Sequence, residues 1–173
     1  MKKRKFLFVA LIIASSVKNT IAQTDSGSAF NVVLTSYLNL KNALTKDNND
    51  SAKIASKQLF DTIDKIQVEK LSTVQQKTWA QYSEKLHYDA EHIKSTTDID
   101  HQREHFSKLS VNMYKMLKAL NINTADLFYQ FCSMANEGKG AYWISEESQL
   151  NNPYMGKRMP RCGVTKETLK GNR

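Results

Sequence analysis

The stretch that decides the fold begins FNVVLTSYLNLKNALT at Phe30 and ends REHFSKLSVNMYKMLKAL at Leu120, with neither Pro nor Gly between. A run of that length without a helix breaker is typical of helical structure. Apolar residues recur within it at spacings of three and four, which place side chains on one face of a helix. The stretch therefore predicts amphipathic helices, each of which buries one face.

Polar residues that suit helix N-termini divide this stretch into four helices. The first ends near residues 47–50, and the second runs to about Val68. Candidate N-caps, whose side chains accept hydrogen bonds from the first turn, begin the other three helices: Asp50 or Ser51, Ser72 or Thr73, and Asp98. Because the links between the helices are short, the sequence predicts an antiparallel four-helix bundle over residues 30–122.

Each predicted helix carries an apolar stripe that we expect to be buried. In chain order the stripes are Val33, Tyr37, Leu40 and Leu44; Ile54, Leu59, Ile63 and Ile66; Val74, Trp79, Tyr82, Leu86 and Ile93; and Phe106, Leu109, Met113, Leu117 and Leu120. Packing of such stripes against one another is the expected source of the bundle's stability.

The composition changes after about residue 123, where both Pro, both Cys and every Gly except Gly27 are found. Residues 127–134 and 141–145 predict two strands, and the turn cluster at 136–140 joins them into a β-hairpin. Residues 151–156 and 159–163 predict loops, and residues 164–170 predict a short helix or an edge strand. The fold class is thus mainly α: a four-helix bundle followed by a hairpin and a loop-rich tail (125–170), in one domain of residues 23–173.

The N-terminal segment, residues 1–22, has the order of a secretory signal peptide. Basic residues precede an apolar run at 6–17, and Thr20 and Ala22 place small side chains before a cleavage point after Ala22. The apolar run is too short to span a bilayer. We therefore expect an exported, soluble, periplasmic protein without membrane insertion after cleavage, whose cysteines meet an oxidising compartment.

The net charge argues against nucleic-acid binding once this segment is considered. The whole chain carries +8, and subtracting the five basic residues of the segment leaves +3. A modest surplus of this kind does not predict a nucleic-acid interface. The sequence also contains no Gly-rich phosphate loop and no nucleophile-elbow motif, so we expect no enzymatic activity.

The tail holds two cysteine–methionine pairs. Cys132 and Met134 are two residues apart and share a face of the predicted strand, while Met159 and Cys162 are three apart around a Pro-containing turn. Two thiolates and two thioethers form a soft donor set, which favours Cu(I). The alternative is a Cys132–Cys162 disulfide, which closes a loop of about 30 residues and is worth about 3–4 kcal/mol.

Histidines near the third interhelical link form a second candidate group. His101 and His105 are four apart on one helical face, a spacing that metal sites use, although His101 is expected to be solvated. His92 precedes the turn into the fourth helix. An antiparallel pair therefore places His92 and His105 near the same end of the bundle, about one helical turn apart.

Several segments resemble the family called domain of unknown function 3347. They are YQFCSMANEGKGAYWIS at 129–145, NPYMG at 152–156 and MPRCG at 159–163, together with HI at 92–93 and QREHF at 102–106 in the helical half. The resemblance extends over residues 30–170. It implies small exported proteins, and domains fused to periplasmic adaptor subunits of heavy-metal efflux pumps, and therefore copper or a similar soft metal as the ligand.

The resemblance and the soft donor set together predict a periplasmic copper-binding protein linked to metal efflux or homeostasis. Its partner is an efflux-pump adaptor or another periplasmic protein. The expected Cu(I) ligands are Cys132, Met134, Met159 and Cys162, with His92 and His105 as second choices. The alternative is a non-catalytic interaction module, stapled by the Cys132–Cys162 disulfide, whose partner surface is the aromatic hairpin around Tyr142 and Trp143.

Overall fold

Four helices make up the first part of the described chain. The computed structural model describes residues 22–172, with side chains from residue 27 onward. The helices are α1 (Ala22–Thr45), α2 (Asn49–Asp64), α3 (Thr73–Lys94) and α4 (Ile99–Leu120), with a 3-10 turn at Val68–Lys70 before α3. The predicted signal peptide lies outside the described residues except for Ala22. No helix within 22–172 is long and apolar enough to cross a membrane.

Hydrogen bonds from side chains explain where the helices begin. Ser72 caps α3 in a capping box with Gln75, and Asp98 caps α4 by accepting the backbone N–H of Asp100 at 3.0 Å, so both predictions are confirmed. The predicted cap of α2 was wrong. Asn48 fills that role, because its side chain accepts the Ser51 N–H at 2.9 Å.

Consecutive helices pack against one another, α1 with α2, α2 with α3 and α3 with α4, which confirms the mainly α bundle. Most of the predicted stripes are buried in a single core. Tyr82 and Leu120 are half-buried at the edge of this core. Two other members are exposed, Ile54 at 61% and Val74 at 68%. The buried face of α2 runs instead through Ala52, Ala55, Ser56, Leu59 and Ile63, which turns Ile54 toward solvent.

A three-stranded antiparallel sheet follows the bundle. Its strands are β1 (Leu127–Cys132), β2 (Ala141–Ser145) and β3 (Val164–Leu169), in the order β2–β1–β3. The hairpin of β1 and β2 is confirmed, and the last segment is the edge strand rather than the helix. In the hairpin turn Gly140 has φ +80°, and a Cβ there would lie 2.6 Å from the Phe131 ring. Glycine is therefore needed to close this turn.

The sheet is joined to the helices through two buried side chains of α1. The Tyr37 hydroxyl hydrogen-bonds with the Ser110 hydroxyl of α4 at 2.8 Å and accepts the Ile144 N–H of β2 at 3.1 Å. Lys41 is only 1% exposed, and its ammonium group lies 2.6 Å from a carboxylate oxygen of Glu146. These contacts fix β2 on α1 and α4.

The loop between β2 and β3 is held against the helices by a salt bridge. Arg103 of α4 pairs with Asp47, and its Nε donates to the Pro153 carbonyl at 2.8 Å. Asp47 in turn accepts the Lys157 N–H at 2.9 Å. The backbone of Gly156 packs so closely on the Asp47 carboxylate that no Cβ would fit. The loop is thus fixed beside the first turns of α4.

Candidate metal centre

Three histidines form a cluster where the last turn of α3 meets the first turns of α4. The four-residue link at 95–98 reverses the chain, so His92 on α3 faces His101 and His105 on α4. The ligating atoms of the three side chains all lie within 4.8 Å of one another. No other group of three or more His, Cys, Asp or Glu side chains in the described part of the chain is arranged in this way.

The imidazole rings are in direct contact. The His92 and His105 rings stack with centroids 4.3 Å apart and planes 13° apart, and the His101 centroid lies 4.8 Å from that of His105. The Tyr88 ring, one helical turn before His92, packs 4.3 Å from it. The cluster is therefore lined by aromatic rings on the α3 side.

A buried carboxylate supports one of the three rings. The Nδ1 atom of His105 lies 2.9 Å from an oxygen of Asp89, and both side chains are almost completely buried. Burial raises the pKa of the Asp89 carboxyl, and the hydrogen bond with His105 opposes that rise. With Nδ1 engaged by Asp89, the Nε2 atom of His105 is left to face a ligand.

The cluster opens toward solvent on the His101 side. His92 and His101 are half-buried, whereas His105 is buried. His101 lines a cleft of about 940 Å³ between the start of α4, the hairpin turn and the loop that follows β2; the same cleft is lined by Met134, Met155 and Arg158. An ion at the cluster would therefore be reachable from this cleft.

The donor set fits a transition-metal ion. Imidazole nitrogens bind zinc at about 2.0–2.1 Å, which in a tetrahedral site places ligand atoms roughly 3.4 Å apart. The ligand atoms of the three histidines lie within 4.8 Å of one another, so binding an ion requires them to move closer together by up to about 1.4 Å. His92 and His101 are half-buried, so rotation of their side chains would bring the ligand atoms closer. Three protein ligands would leave a fourth coordination position for water or another ligand.

The sulfur residues are arranged differently from the prediction. Cys132 is buried at the end of β1 and Cys162 is partly buried; both are free thiols. The two thiols are neighbours, and the hydrogen bond with Cys132, together with burial, raises the pKa of the Cys162 thiol. The Cys162 N–H donates to the Met159 carbonyl at 3.2 Å, which closes the predicted turn.

The shared strand face predicted for Cys132 and Met134 is wrong. Strand β1 ends at Cys132, so Met134 lies in the following turn, where it is 54% exposed and lines the cleft beside His101. The two thiols are thus brought together, and one thioether lies near the histidines. Binding of an ion by the four sulfur atoms stays a prediction.

The histidine prediction was closer to the observed geometry, since His92 and His105 do lie at the same end of the bundle. His101 was expected to be solvated and was left out of the ligand set, yet it completes the cluster. Its spacing of four residues from His105 was the signal that pointed to it. Nothing in the sequence pattern indicated Asp89, because its contact with His105 crosses from one helix to another.

Comparison with known proteins places the helical half in a family. A family model described as "Protein of unknown function (DUF3347)" matches residues 33–125. No curated protein and no solved structure matches the chain. The match includes the three histidines and Asp89, whereas the Cys and Met motifs of the tail lie beyond it. Because the model covers more than half of the chain, this protein belongs to the DUF3347 family.

Proposed function

We propose that this protein binds a transition-metal ion through His92, His101 and His105. The observation that carries the proposal is the meeting of three imidazole side chains from two helices, with ligand atoms within 4.8 Å of one another. The buried Asp89 carboxylate on His105 adds the outer support that histidine ligands usually have in metal sites. The ion would be held at the end of the α3–α4 pair.

Copper is the metal that we propose as the cargo. Neutral imidazoles suit Cu, Zn and Ni, and among divalent first-row ions Cu(II) binds most tightly to a given nitrogen site. The resemblance to proteins associated with heavy-metal efflux favours the same metal. In this proposal the protein is not an enzyme. It holds copper in the periplasm and passes it to an efflux-pump adaptor or another periplasmic protein.

The adjacent thiols favour a second candidate, in which the tail binds Cu(I). Cys132 and Cys162 are in hydrogen-bonding contact, and Met159 lies in the turn that leads to Cys162. Soft thiolates and thioethers prefer Cu(I), whereas the imidazoles accept Cu(II) and Zn(II). The two candidates use different residues and different oxidation states, so substitution separates them.

The test of the histidine site is a metal titration of the metal-free full chain. We expect one Cu(II) or Zn(II) ion per chain. His92→Ala, His101→Ala and His105→Gln should each weaken binding by more than about 100-fold, the upper end of the effect of a supporting residue. The matched control is His87→Ala. It removes the remaining histidine, which contacts Asp64 and Phe60 away from the cluster, and should leave the affinity unchanged.

Two results would contradict the proposal. Equal affinities of the wild-type chain and the His101→Ala variant would exclude a site at the three histidines. Intact Cu(II) binding in the histidine variants, together with loss of copper binding in a Cys132→Ser, Cys162→Ser double variant, would exclude the histidine site and favour the tail instead. Electron paramagnetic resonance of the Cu(II) form should show nitrogen coupling in the wild type and a reduced number of coupled nitrogens in each histidine variant.

A further inference from the structure

We infer that Asp89 is the positioning residue of this metal site: its carboxylate fixes His105 so that Nε2 faces the ion. The inference rests on the proposed function and assigns a role to a residue that does not itself bind the metal. Asp89 precedes His92 by three residues, and side chains three apart share a helix face. One face of α3 therefore supplies both a ligand and the carboxylate that supports the ligand of α4.

The buried Asp89 carboxylate would be stabilised by a nearby positive charge. The residue is only 3% exposed, and a carboxylate removed from water is costly unless it is paired. Within residues 27–172, no Lys or Arg nitrogen lies within 4.0 Å of the Asp89 oxygens, and its ion-pair partner is His105. A metal ion on the far nitrogen of that ring would add positive charge on the side of the imidazole that faces away from the carboxylate. The carboxylate is thus placed where it helps a bound cation.

The hydrogen bond also distinguishes the three ligands from one another. When the Nδ1 proton of His105 is donated to Asp89, Nε2 keeps its lone pair and the ring cannot turn. The side chains of His92 and His101 make no such hydrogen bond among the described residues, and both are half-buried. His105 is therefore the fixed ligand, and His92 and His101 are the two that move inward when the ion binds.

The experiment compares Zn(II) affinities of the full chain and its variants. Asp89→Asn keeps the size of the side chain and removes its charge, and we expect about 10–100-fold weaker Zn(II) binding. Asp64→Asn is the matched control, because it removes the exposed carboxylate that lies 3.1 Å from His87. That control should bind as tightly as the wild type. Asp89→Glu, which keeps the charge, should bind more tightly than Asp89→Asn.

Two further measurements separate positioning from a purely structural role. In a His105→Gln background, Asp89→Asn should cause no additional loss of Zn(II) affinity, because the ring that Asp89 holds is gone. Nitrogen NMR of the metal-free chain should show the His105 proton on Nδ1 in the wild type and a mixture of tautomers in Asp89→Asn.

The outcomes distinguish the inference from the proposed function. Tight Zn(II) binding by both the wild type and Asp89→Asn would overturn the role of Asp89 and leave the histidine site standing. An additional loss of affinity in the His105→Gln background would also overturn it. Failure of the wild type to bind Zn(II) or Cu(II) would overturn the site itself, and the inference with it.

Discussion

The hydroxyl group of Tyr37 makes hydrogen bonds with residues of two other elements. It hydrogen-bonds with Ser110 of α4 and accepts the backbone N–H of Ile144 in β2, while its ring stacks on Phe106 at 5.3 Å. The side chain is completely buried, and burial raises the pKa of the phenol far above its ordinary value. Burial therefore favours the neutral phenol, which acts as a hydrogen-bonding contact between the helices and the sheet.

Removal of this hydroxyl should destabilise the fold. We expect Tyr37→Phe to lower the free energy of unfolding by about 1–3 kcal/mol, because the Ile144 N–H is left buried without an acceptor. Urea denaturation measures the change. Tyr82→Phe, at a half-buried position on α3, is the control and should change stability by less than about 0.5 kcal/mol. Equal losses in the two variants would show that the hydroxyl contacts of Tyr37 contribute nothing specific.

The histidine cluster shows what a sequence can reveal about single residues. The spacing of His101 and His105 is local, and the short interhelical link brings His92 to the same end of the bundle. Both relations could therefore be predicted from the sequence. The half-buried position of His101 and the contact between Asp89 and His105 depend on how two helices rotate about their axes. The rotation of each helix about its axis is set by core packing across the whole bundle. Residue spacing within one helix does not predict it.

At the scale of elements, Asp47 joins the end of α1 to the loop that follows β2. Burial works to raise the pKa of its carboxyl, but the Lys157 N–H and the Arg103 guanidinium outweigh burial and hold that pKa below its usual range. A depressed carboxyl pKa stabilises the fold above the ordinary value of about 3.9. The contribution disappears as the pH falls through the lower, folded-state value.

Asp47→Asn should therefore have a pH-dependent effect on stability. At pH 7 we expect a loss of about 1–2 kcal/mol, since hydrogen bonds to a charged acceptor are replaced by weaker neutral ones. As the pH falls below about 3.9, the ordinary carboxyl value, the difference in urea midpoint between the variant and the wild type should narrow, because the native carboxyl becomes protonated. Asn tolerates the positive φ of 53° at this position, so the backbone is not the cause of the change.

A difference in stability that does not narrow as the pH falls below the ordinary carboxyl value would contradict this account of Asp47. The matched control is Asp61→Asn on α2, whose pKa is also lowered, here by a hydrogen bond from Lys57. That pair is exposed and lies four residues apart on one helix, so its removal should leave the urea midpoint almost unchanged at either pH.

The same contrast between local and distant interactions explains which elements were predictable. Ser72 and Asp98 were recognised as caps because a cap acts on its own first turn. The buried face of α2 was misread at Ile54, because a small-residue face through Ala52 and Ala55 packs closely in the bundle. The pairing of β3 with β1 was not predictable, since the two strands are separated by the hairpin and a long loop.

On the scale of the whole molecule, the core is complete without an ion. Apolar residues from all four helices and from the sheet form one buried cluster, and the histidines lie at its edge. Small metal-dependent domains differ in this respect, because they lack such a core and unfold when the ion is removed. An ion bound at the histidines would therefore add to a structure whose core does not depend on it.

Chelation should therefore leave the fold intact. We expect the same helical far-ultraviolet circular dichroism in the metal-free and Zn(II)-loaded chains. The unfolding midpoint should rise with free Zn(II), by an amount that corresponds to at most about 2.7 kcal/mol at 100 times the dissociation constant. The His101→Ala variant should show no such rise. Loss of the helical signal on chelation would show that the ion is instead part of the core.

The short link between α3 and α4 also bears on the order of folding events. His92 and His105 are 13 positions apart, so an unfolded chain can bring the three histidines together at a small loop-closure cost. An ion present during refolding would therefore stabilise the α3–α4 hairpin before the distant β1–β3 pairing forms. It would accelerate the pairing of α3 with α4, which is the most local step of folding. To the extent that the ion also binds the unfolded chain, it would raise the final stability by less than its affinity for the folded chain implies.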